Sequence, residues 1–273
     1  MEKPTSQEID QKTIFKQDEA GNLLPEGNIS KIDSRYEELI NEIKLKILGL
    51  IESNNILSIY VTGSIAMGTT NENSDIDVLV ISKANIDDNK KESIIQTIKK
   101  DVRKKGLVVK IDVSIVSEDE LEKQKHIRKQ FIIKLLSACV YGEDISSKLP
   151  GFKADKETAK KLCINIEKIV NQAKEVLSEN EDPNTIKKRC RWIMKMILRN
   201  TFLLTLDHEK KFTTSLDTMA RLSKKYFPDK SNQIDMVFNL CNNPTDNKKE
   251  ILRVLDSSTP WLTEQINSLR NRD

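Results

Sequence analysis

The sequence has 273 residues, of which 45 are Lys or Arg and 42 are Asp or Glu, giving a formal net charge of +3. This near-balance argues against a protein that binds bulk DNA, although it leaves room for a local basic patch. Eight Gly and seven Pro are too few for a collagen-like or Gly/Pro-rich disordered chain. At roughly 150 residues per domain, the length predicts just under two domains.

The first half of the chain alternates helical and strand patterns. Residues 1–32 are polar and predict an arm with little core of its own, and apolar residues recur at helical spacing over about 33–53. Short β-branched segments predict strands at 56–61, 74–81 and 107–116. Helices are predicted at 89–105 and 118–140. This order predicts an α/β domain with a mixed sheet over residues 33–150.

Strand signals stop after the Pro-Gly break at 150–151, and the rest of the chain shows helical patterns. These patterns fall at 155–178, 184–207, 215–226, 231–242, 247–256 and 260–270. Thr259-Pro260 predicts the start of the last helix, with Pro at its first position. We therefore expect residues 151–273 to form an α-helical bundle domain.

The cysteines and the N-terminal sequence indicate the cellular compartment in which the protein is expected. The four cysteines form no C-x-x-C pair, which argues against zinc-ribbon and thioredoxin motifs and favours a reduced, cytoplasmic protein. The first residues lack the apolar core of a signal peptide, and no run of about 18 apolar residues could span a bilayer. We expect a cytoplasmic protein without a membrane partner.

Three aspartates stand on the predicted strands. Asp75 and Asp77 are two residues apart on the second strand, so their side chains share a face, roughly 7 Å apart. Asp112 lies on the third strand, whose alternation sends four apolar side chains to the opposite face: Val109, Ile111, Val113 and Ile115. Like charges on a buried sheet are costly unless they are neutralised. Oxygen ligands without nearby His or Cys suit Mg²⁺ or Mn²⁺. We therefore predict a two-metal site whose ligands are Asp75, Asp77 and Asp112.

Gly63 and Ser64 directly follow the first predicted strand. Glycine lets the backbone approach a ligand closely, and the N–H groups of such a turn can bind phosphate. The Ser64 hydroxyl can donate to the same oxygens. With the three carboxylates, this turn predicts a metal–triphosphate site for phosphoryl or nucleotidyl transfer.

Gly63-Ser64, Asp75-Ile76-Asp77 and Asp112 together resemble the signature of the DNA polymerase β-like nucleotidyltransferase superfamily. The longer string VTGSIAMGTTNENSDIDVLVIS is similar to the antibiotic branch, the aminoglycoside and lincosamide nucleotidyltransferases. Tyr141-Gly142-Glu143-Asp144 resembles the turn that leaves the catalytic domain in that branch. The resemblance covers about residues 35–145 and implies a nucleotidyltransferase catalytic domain followed by a helical domain.

The resemblance also implies roles for these residues. Asp75 and Asp77 would bind both metals, and Asp112 would bind the metal that activates the attacking hydroxyl and serve as, or assist, the general base. Some antibiotic-modifying members carry Glu as the base.

The expected reaction transfers a nucleoside monophosphate to an acceptor hydroxyl. The first choice for the transferred group is AMP, taken from ATP. The acceptor is either a small molecule of the aminoglycoside or lincosamide type, or tRNA or a protein, as in toxin-type relatives. The alternative is a nucleotide-binding module without turnover.

A basic stripe lies on the helix predicted at 184–207. Four residues at helical spacing share its face: Lys188, Trp192, Lys195 and Arg199. Cations in an otherwise apolar helix need anionic partners. These partners are either nucleotide phosphates across an interdomain cleft, which we favour for Lys195 and Arg199, or Glu residues of neighbouring helices.

Overall fold

The computed structural model describes residues 13–70, 74–104 and 110–271. They form two compact units, one of residues 23–152 and one of residues 13–22 with 153–271. No helix in the described part of the chain combines the length and apolar character needed to cross a membrane.

The unit of residues 23–152 is built on a four-stranded mixed sheet in the order β3-β2-β1-β4. Its strands are β1 (Ile56–Thr62), β2 (Ile76–Ser82), β3 (Ile111–Ser117) and β4 (Ser137–Gly142). β1 pairs antiparallel with both β2 and β4, whereas β2 and β3 are parallel. This confirms the predicted mixed sheet.

Among its described residues, the same unit contains five α-helices: α1 (Glu37–Leu50), α2 (Ser64–Met67), α3 (Asp88–Lys104), α4 (Glu118–Leu121) and α5 (Ile127–Leu136). Apolar residues of α1 and α3, including Ile43 and Ile98, cover one face of the sheet. Leu121 at the end of α4 and Ile133 of α5 pack on the other face. The sheet is therefore buried on both sides along most of its length.

The predicted alternation along the strands is confirmed. Ile76, Val78 and Val80 of β2 lie in the core beneath α1 and α3, whereas Leu79 and Ile81 lie in the core beneath α5. On β3, Ile111, Val113 and Ile115 likewise lie opposite Val116. Val109 and the start of the predicted third strand lie outside the described residues.

The prediction of a continuous helix over 118–140 is wrong. The segment forms α4, α5 and then the edge strand β4. The hydroxyl of Ser137 donates to the carbonyl of Ile133 at 2.7 Å, which satisfies an acceptor at the end of α5. The residues that follow are small, β-branched or aromatic and hydrogen-bond to β1, so strand pairing overrides the helical pattern.

The second unit is helical. Its helices are α6 (Lys156–Leu162), α7 (Ile166–Glu179), α8 (Pro183–Leu203), α9 (Leu206–Glu209), α10 (Leu216–Tyr226), α11 (Ser231–Asn242) and α12 (Lys248–Asn271). The predicted helix start at Pro260 is wrong, because α12 runs through this residue. Leu255, Ser258 and Leu262 are buried on both sides of it, and this packing outweighs the backbone bond that Pro260 cannot make.

Of the predicted N-terminal arm of residues 1–32, residues 13–22 belong to the helical unit and residues 23–32 to the sheet-containing unit. Phe15 is buried in the helical unit, where its ring centroid lies 5.1 Å from that of Phe212 in an edge-to-face contact. Its backbone N–H donates to the Phe212 carbonyl at 2.9 Å. From Leu23 onward the chain belongs to the sheet-containing unit. A mostly polar segment therefore contributes buried aromatic area to a core.

Candidate active site

The geometry of the candidate site begins with the strand register at one end of the sheet. Asp77 on β2 is paired with Asp112 on β3 and with Thr62 on β1, and Thr62 is paired with Ser137 on β4. Paired residues on adjacent strands point to the same face, with strands about 4.8 Å apart. A row of four polar side chains thus crosses the sheet, with Asp77 and Asp112 as direct neighbours.

The two carboxylates of the row lie where the sheet becomes accessible to water. Asp77 and Asp112 are exposed, whereas the next residues on the same face of β2, Leu79 and Ile81, are buried. Asp75 precedes β2 by one residue and its side chain is 44% exposed. The carboxylates are therefore less buried than the sequence argument assumed, and water shares the cost of holding them together.

Two lysines neutralise part of this charge. The ammonium of Lys110 lies 3.3 Å from Asp75 Oδ2, and that of Lys99, on α3, lies 3.3 Å from Asp112 Oδ1. In the described residues, no three His, Cys, Asp or Glu side chains converge as a ready-made metal site. Two of the three predicted ligands, Asp75 and Asp112, are instead paired with lysines.

The turn after β1 lies against Asp77. Gly63 has φ of 72° and ψ of −142°, a conformation open to glycine, and a Cβ at this position would lie 3.5 Å from Asp77 Oδ2. Its N–H donates to the Leu136 carbonyl at 2.9 Å, which fixes the turn to the end of α5. Ser64 opens the short helix α2 directly after it. The predicted phosphate-binding turn and the Asp77 carboxylate are therefore adjacent.

Glu120, three residues after β3, has a structural role. Ser117 and Glu120 form a reciprocal capping box at the start of α4, and Lys91 of α3 lies 3.1 Å from Glu120. The hydrogen bond from Lys91 lowers the pKa of Glu120 to about 2. Glu120 is thus engaged as an ionised cap.

Sequence reasoning assigned no role to three lysines near the carboxylates. Besides Lys99 and Lys110, the ammonium of Lys129 on α5 donates to the Ser114 hydroxyl at 2.8 Å, two residues beyond Asp112 on β3. Burial lowers the pKa of Lys129. The alternation of β3 already placed Lys110 beside Asp112, but nothing in the pattern indicated Lys99 or Lys129.

The basic stripe lies on α8 of the helical unit. Lys195 is half-buried there and Arg199 is exposed, and Trp192 is 37% exposed with the Arg189 guanidinium 4.9 Å from its ring centroid. Burial raises the pKa of Cys241 to about 12, an effect that Lys195 and Arg199 partly oppose through their charge. Water therefore reaches most of the stripe.

Comparison with known proteins identifies the class. Residues 45–139 match the model of the nucleotidyltransferase domain family. Residues 45–139, which lie within the unit of residues 23–152, thus form a nucleotidyltransferase domain of the DNA polymerase β-like superfamily, and the chain is a nucleotidyltransferase. No curated protein sequence matches the chain.

Solved structures show a shared fold over more than this domain. The spectinomycin adenyltransferase AAD(9) from Enterococcus faecialis, solved with ATP and spectinomycin, has a TM-score of 0.57 at 16% identity, covering 84% of this chain and 98% of its own. The fold shared with this structure therefore extends beyond the sheet-containing unit.

Two further structures match about half of the chain. A toxin–antitoxin MntA-HpeT mutant has a TM-score of 0.30 at 15% identity, covering 51% of this chain and 94% of its own. The tri-AMPylated Shewanella oneidensis HEPN toxin with its MNT antitoxin has a TM-score of 0.27 at 14% identity, covering 51% and 95%. These scores are too low to infer a common fold.

Proposed function

We propose that this nucleotidyltransferase transfers AMP from ATP to an acceptor hydroxyl and that it uses Mg²⁺ or Mn²⁺. The observation that carries the proposal is the direct pairing of Asp77 with Asp112 beside the Gly63 turn. Two exposed carboxylates on one face can bind divalent cations, and the adjacent turn can bind phosphate. A displacement at phosphorus requires both functions. The fold shared with AAD(9), which was solved with ATP, supports ATP as the nucleotide.

The residues present fit a divalent cation. Asp75, Asp77 and Asp112 supply carboxylate oxygens, the ligands that Mg²⁺ prefers, and solvent reaches all three. The ion pairs of Asp75 and Asp112 are long and exposed, and such pairs contribute about 0–1 kcal/mol each, so a cation can displace the lysines. When bound, the cation would neutralise phosphate charge and stabilise the charge that develops in the transition state.

The chain's own groups account for binding and proton transfer. The backbone N–H groups that follow Gly63 in the turn and the Ser64 hydroxyl donate to oxygens of the triphosphate, whereas the N–H of Gly63 itself is bound to the Leu136 carbonyl. The Asp112 carboxylate accepts the proton of the acceptor hydroxyl, whose oxygen attacks the α-phosphorus. The bond from this phosphorus to the bridging oxygen of the β-phosphate breaks, and pyrophosphate leaves in line. We further propose that Lys195 and Arg199 bind the triphosphate, as the stripe on α8 predicts.

Asp77→Asn tests the proposal. We expect acceptor-dependent pyrophosphate release by the wild type with Mg²⁺, and a loss of at least about 100-fold in kcat in the variant, as when one electrostatic stabiliser is removed. Chelation of the metal should abolish the wild-type activity. Asp88→Asn is the matched control, because Asp88 is fully exposed at the start of α3. Unchanged turnover in Asp77→Asn would exclude the proposed site.

A further inference from the structure

Thr62 lies inside the polar row that crosses the sheet, which consists of Asp112, Asp77, Thr62 and Ser137. It is paired with Asp77 on one side and with Ser137 on the other, so its side chain lies on the same face as the two carboxylates. Thr62 is also the last residue of β1 and immediately precedes Gly63, where the predicted phosphate-binding turn begins. It therefore connects the carboxylates to this turn.

Among the described residues, none forms a hydrogen bond with the Thr62 hydroxyl, although Thr62 is only 8% exposed. The hydroxyl of Ser137, its neighbour in the row, instead donates to the Ile133 carbonyl. A hydroxyl that is mostly withdrawn from water without a partner is costly, so it calls for a ligand or an ordered water. The hydroxyl of Ser58 on the same strand is fully enclosed, whereas that of Thr62 is not, so a ligand can reach it.

The strand order gives this hydroxyl a place in the proposed reaction. Asp112, the proposed general base, lies on β3, Asp77 lies on β2 and Thr62 lies on β1. The three side chains thus form a line across the sheet. In an in-line displacement the attacking oxygen and the leaving oxygen lie on opposite sides of the phosphorus. With the attacking hydroxyl at Asp112 and the α-phosphorus beside Asp77, the leaving oxygen lies on the side of Thr62.

The position of the phosphate-binding turn agrees with this direction. The turn follows β1 directly after Thr62, and a Cβ on Gly63 would lie 3.5 Å from Asp77 Oδ2, so the turn meets Asp77 from the β1 side. The β- and γ-phosphates that bind at the turn become the leaving pyrophosphate. The strand order and the turn therefore both put the leaving group beside Thr62.

We propose that Thr62 is a further catalytic residue, whose hydroxyl donates a hydrogen bond to the oxygen that leaves with pyrophosphate. The acceptor oxygen forms a bond to the α-phosphorus while the bond from this phosphorus to the bridging oxygen breaks, and the electron pair stays on that oxygen. The hydrogen bond stabilises the developing charge, and no proton is transferred from Thr62. This inference rests on the proposed nucleotidyl transfer and adds a leaving-group contact to it.

Pyrophosphate binding tests this contact without an acceptor. Isothermal titration calorimetry with Mg²⁺ and pyrophosphate compares the wild type with Thr62→Val, which removes the hydroxyl at nearly the same shape, and Thr62→Ser, which keeps it. We expect Thr62→Val to weaken pyrophosphate binding about tenfold, as for one lost hydrogen bond to a charged group, and Thr62→Ser to stay within about threefold. AMP, which lacks the leaving group, should bind all three proteins equally. Equal pyrophosphate affinity in the wild type and Thr62→Val would overturn the proposal.

Ser58→Ala is the matched control. Ser58 lies on the same face of β1 but away from the carboxylates, since it is paired with Ile81 and its hydroxyl is enclosed. Pyrophosphate binding should not change in this variant. Thermal unfolding provides the structural comparison, because a hydroxyl without a partner in the described structure adds little stability, so Thr62→Val should unfold at or above the wild-type temperature. A large fall in the unfolding temperature of Thr62→Val would show a structural role instead and overturn the proposal.

The dependence of the rate on the leaving group separates this inference from the reaction on which it rests. Transfer of AMP to spectinomycin or a lincosamide is measured with two ATP analogues, whose β,γ-bridge is methylene or difluoromethylene. The fluorines make the leaving group less basic, so it needs less stabilisation. We expect Thr62→Val to lower kcat about ten- to hundredfold with the methylene analogue and less with the difluoromethylene analogue.

An equal deficit with both analogues would overturn the role of Thr62 and leave nucleotidyl transfer standing. ATP binding by the wild type without transfer to any acceptor would overturn both the proposed transfer and the inference that rests on it.

Discussion

The left-handed backbone conformation of Gly63 holds the predicted phosphate-binding turn beside the Asp77 carboxylate. Alanine at this position would make an ordinary contact with Asp77 Oδ2 at 3.5 Å, so the strain comes from φ of 72°. We expect Gly63→Ala to lower the free energy of unfolding by about 1–3 kcal/mol and to raise the KM for ATP, because relieving the strain moves the turn. Chemical denaturation and steady-state kinetics measure the two effects.

Gly49→Ala is the control for this prediction. Gly49 lies inside α1, where an added Cβ meets no atom within 4 Å. Alanine should therefore raise stability by about 0.5–1 kcal/mol, since it favours the helix. A Gly63→Ala protein with wild-type stability and an unchanged KM would show that the turn does not need its conformation.

The neighbourhood of Asp77 and Asp112 could be anticipated in part from the sequence. Strand alternation put Asp77 and Asp112 on defined faces, but the register that makes them direct neighbours is a property of the folded sheet. The contacts of Lys99 and Lys110 could not be assigned in advance, because pairs between exposed, flexible side chains have small energies and weak sequence signals. The roles of Lys195 and Arg199 stay predictions.

At the scale of elements, the cap at Glu120 links α4 to α3 through Lys91. The pKa of Glu120 is lowered from 4.5 to about 2, so its stabilising effect is complete above about pH 5 and is lost as the pH falls toward 2. We expect Glu120→Gln to cost about 1 kcal/mol near neutral pH. The difference from the wild type should shrink in acid, as measured by urea unfolding across this pH range.

Glu122→Gln is the comparison for this effect, because Glu122 is exposed just after α4 and lies outside the capping box. Its stability should follow that of the wild type at every pH. A Glu120→Gln deficit that does not change between neutral and acidic pH would contradict the ionised cap.

Two of the elements that the sequence predicted wrongly share a physical cause. The helix over 118–140 and the helix start at Pro260 were both inferred from local patterns. Pairing with β1 makes residues 137–142 form the strand β4. Buried residues on both sides of Pro260 keep α12 continuous. In both cases contacts between distant segments outweigh local preference. The three strands predicted from short β-branched segments depended less on such contacts and, within the described residues, were predicted to within a few residues.

At the scale of the whole molecule, the two units do not follow the chain in simple succession. Residues 13–22 belong with residues 153–271, although they are polar in sequence and precede the sheet-containing unit. Phe15 fixes this arrangement by its contact with Phe212, and such a long-range pairing leaves no periodic signal. The class of enzyme, by contrast, was predictable, because its motif occupies one continuous segment that the family model also matches.

The central claim is that the α-phosphorus of a nucleoside triphosphate is the atom attacked. It is tested most directly by incubating the protein, Mg²⁺ and an acceptor that supports pyrophosphate release with ATP labelled either at the α- or at the γ-phosphorus. The account predicts that label from the α-position appears in the acceptor product and that label from the γ-position appears in pyrophosphate. Transfer of the γ-label to the acceptor, which would make the protein a phosphotransferase, would contradict it.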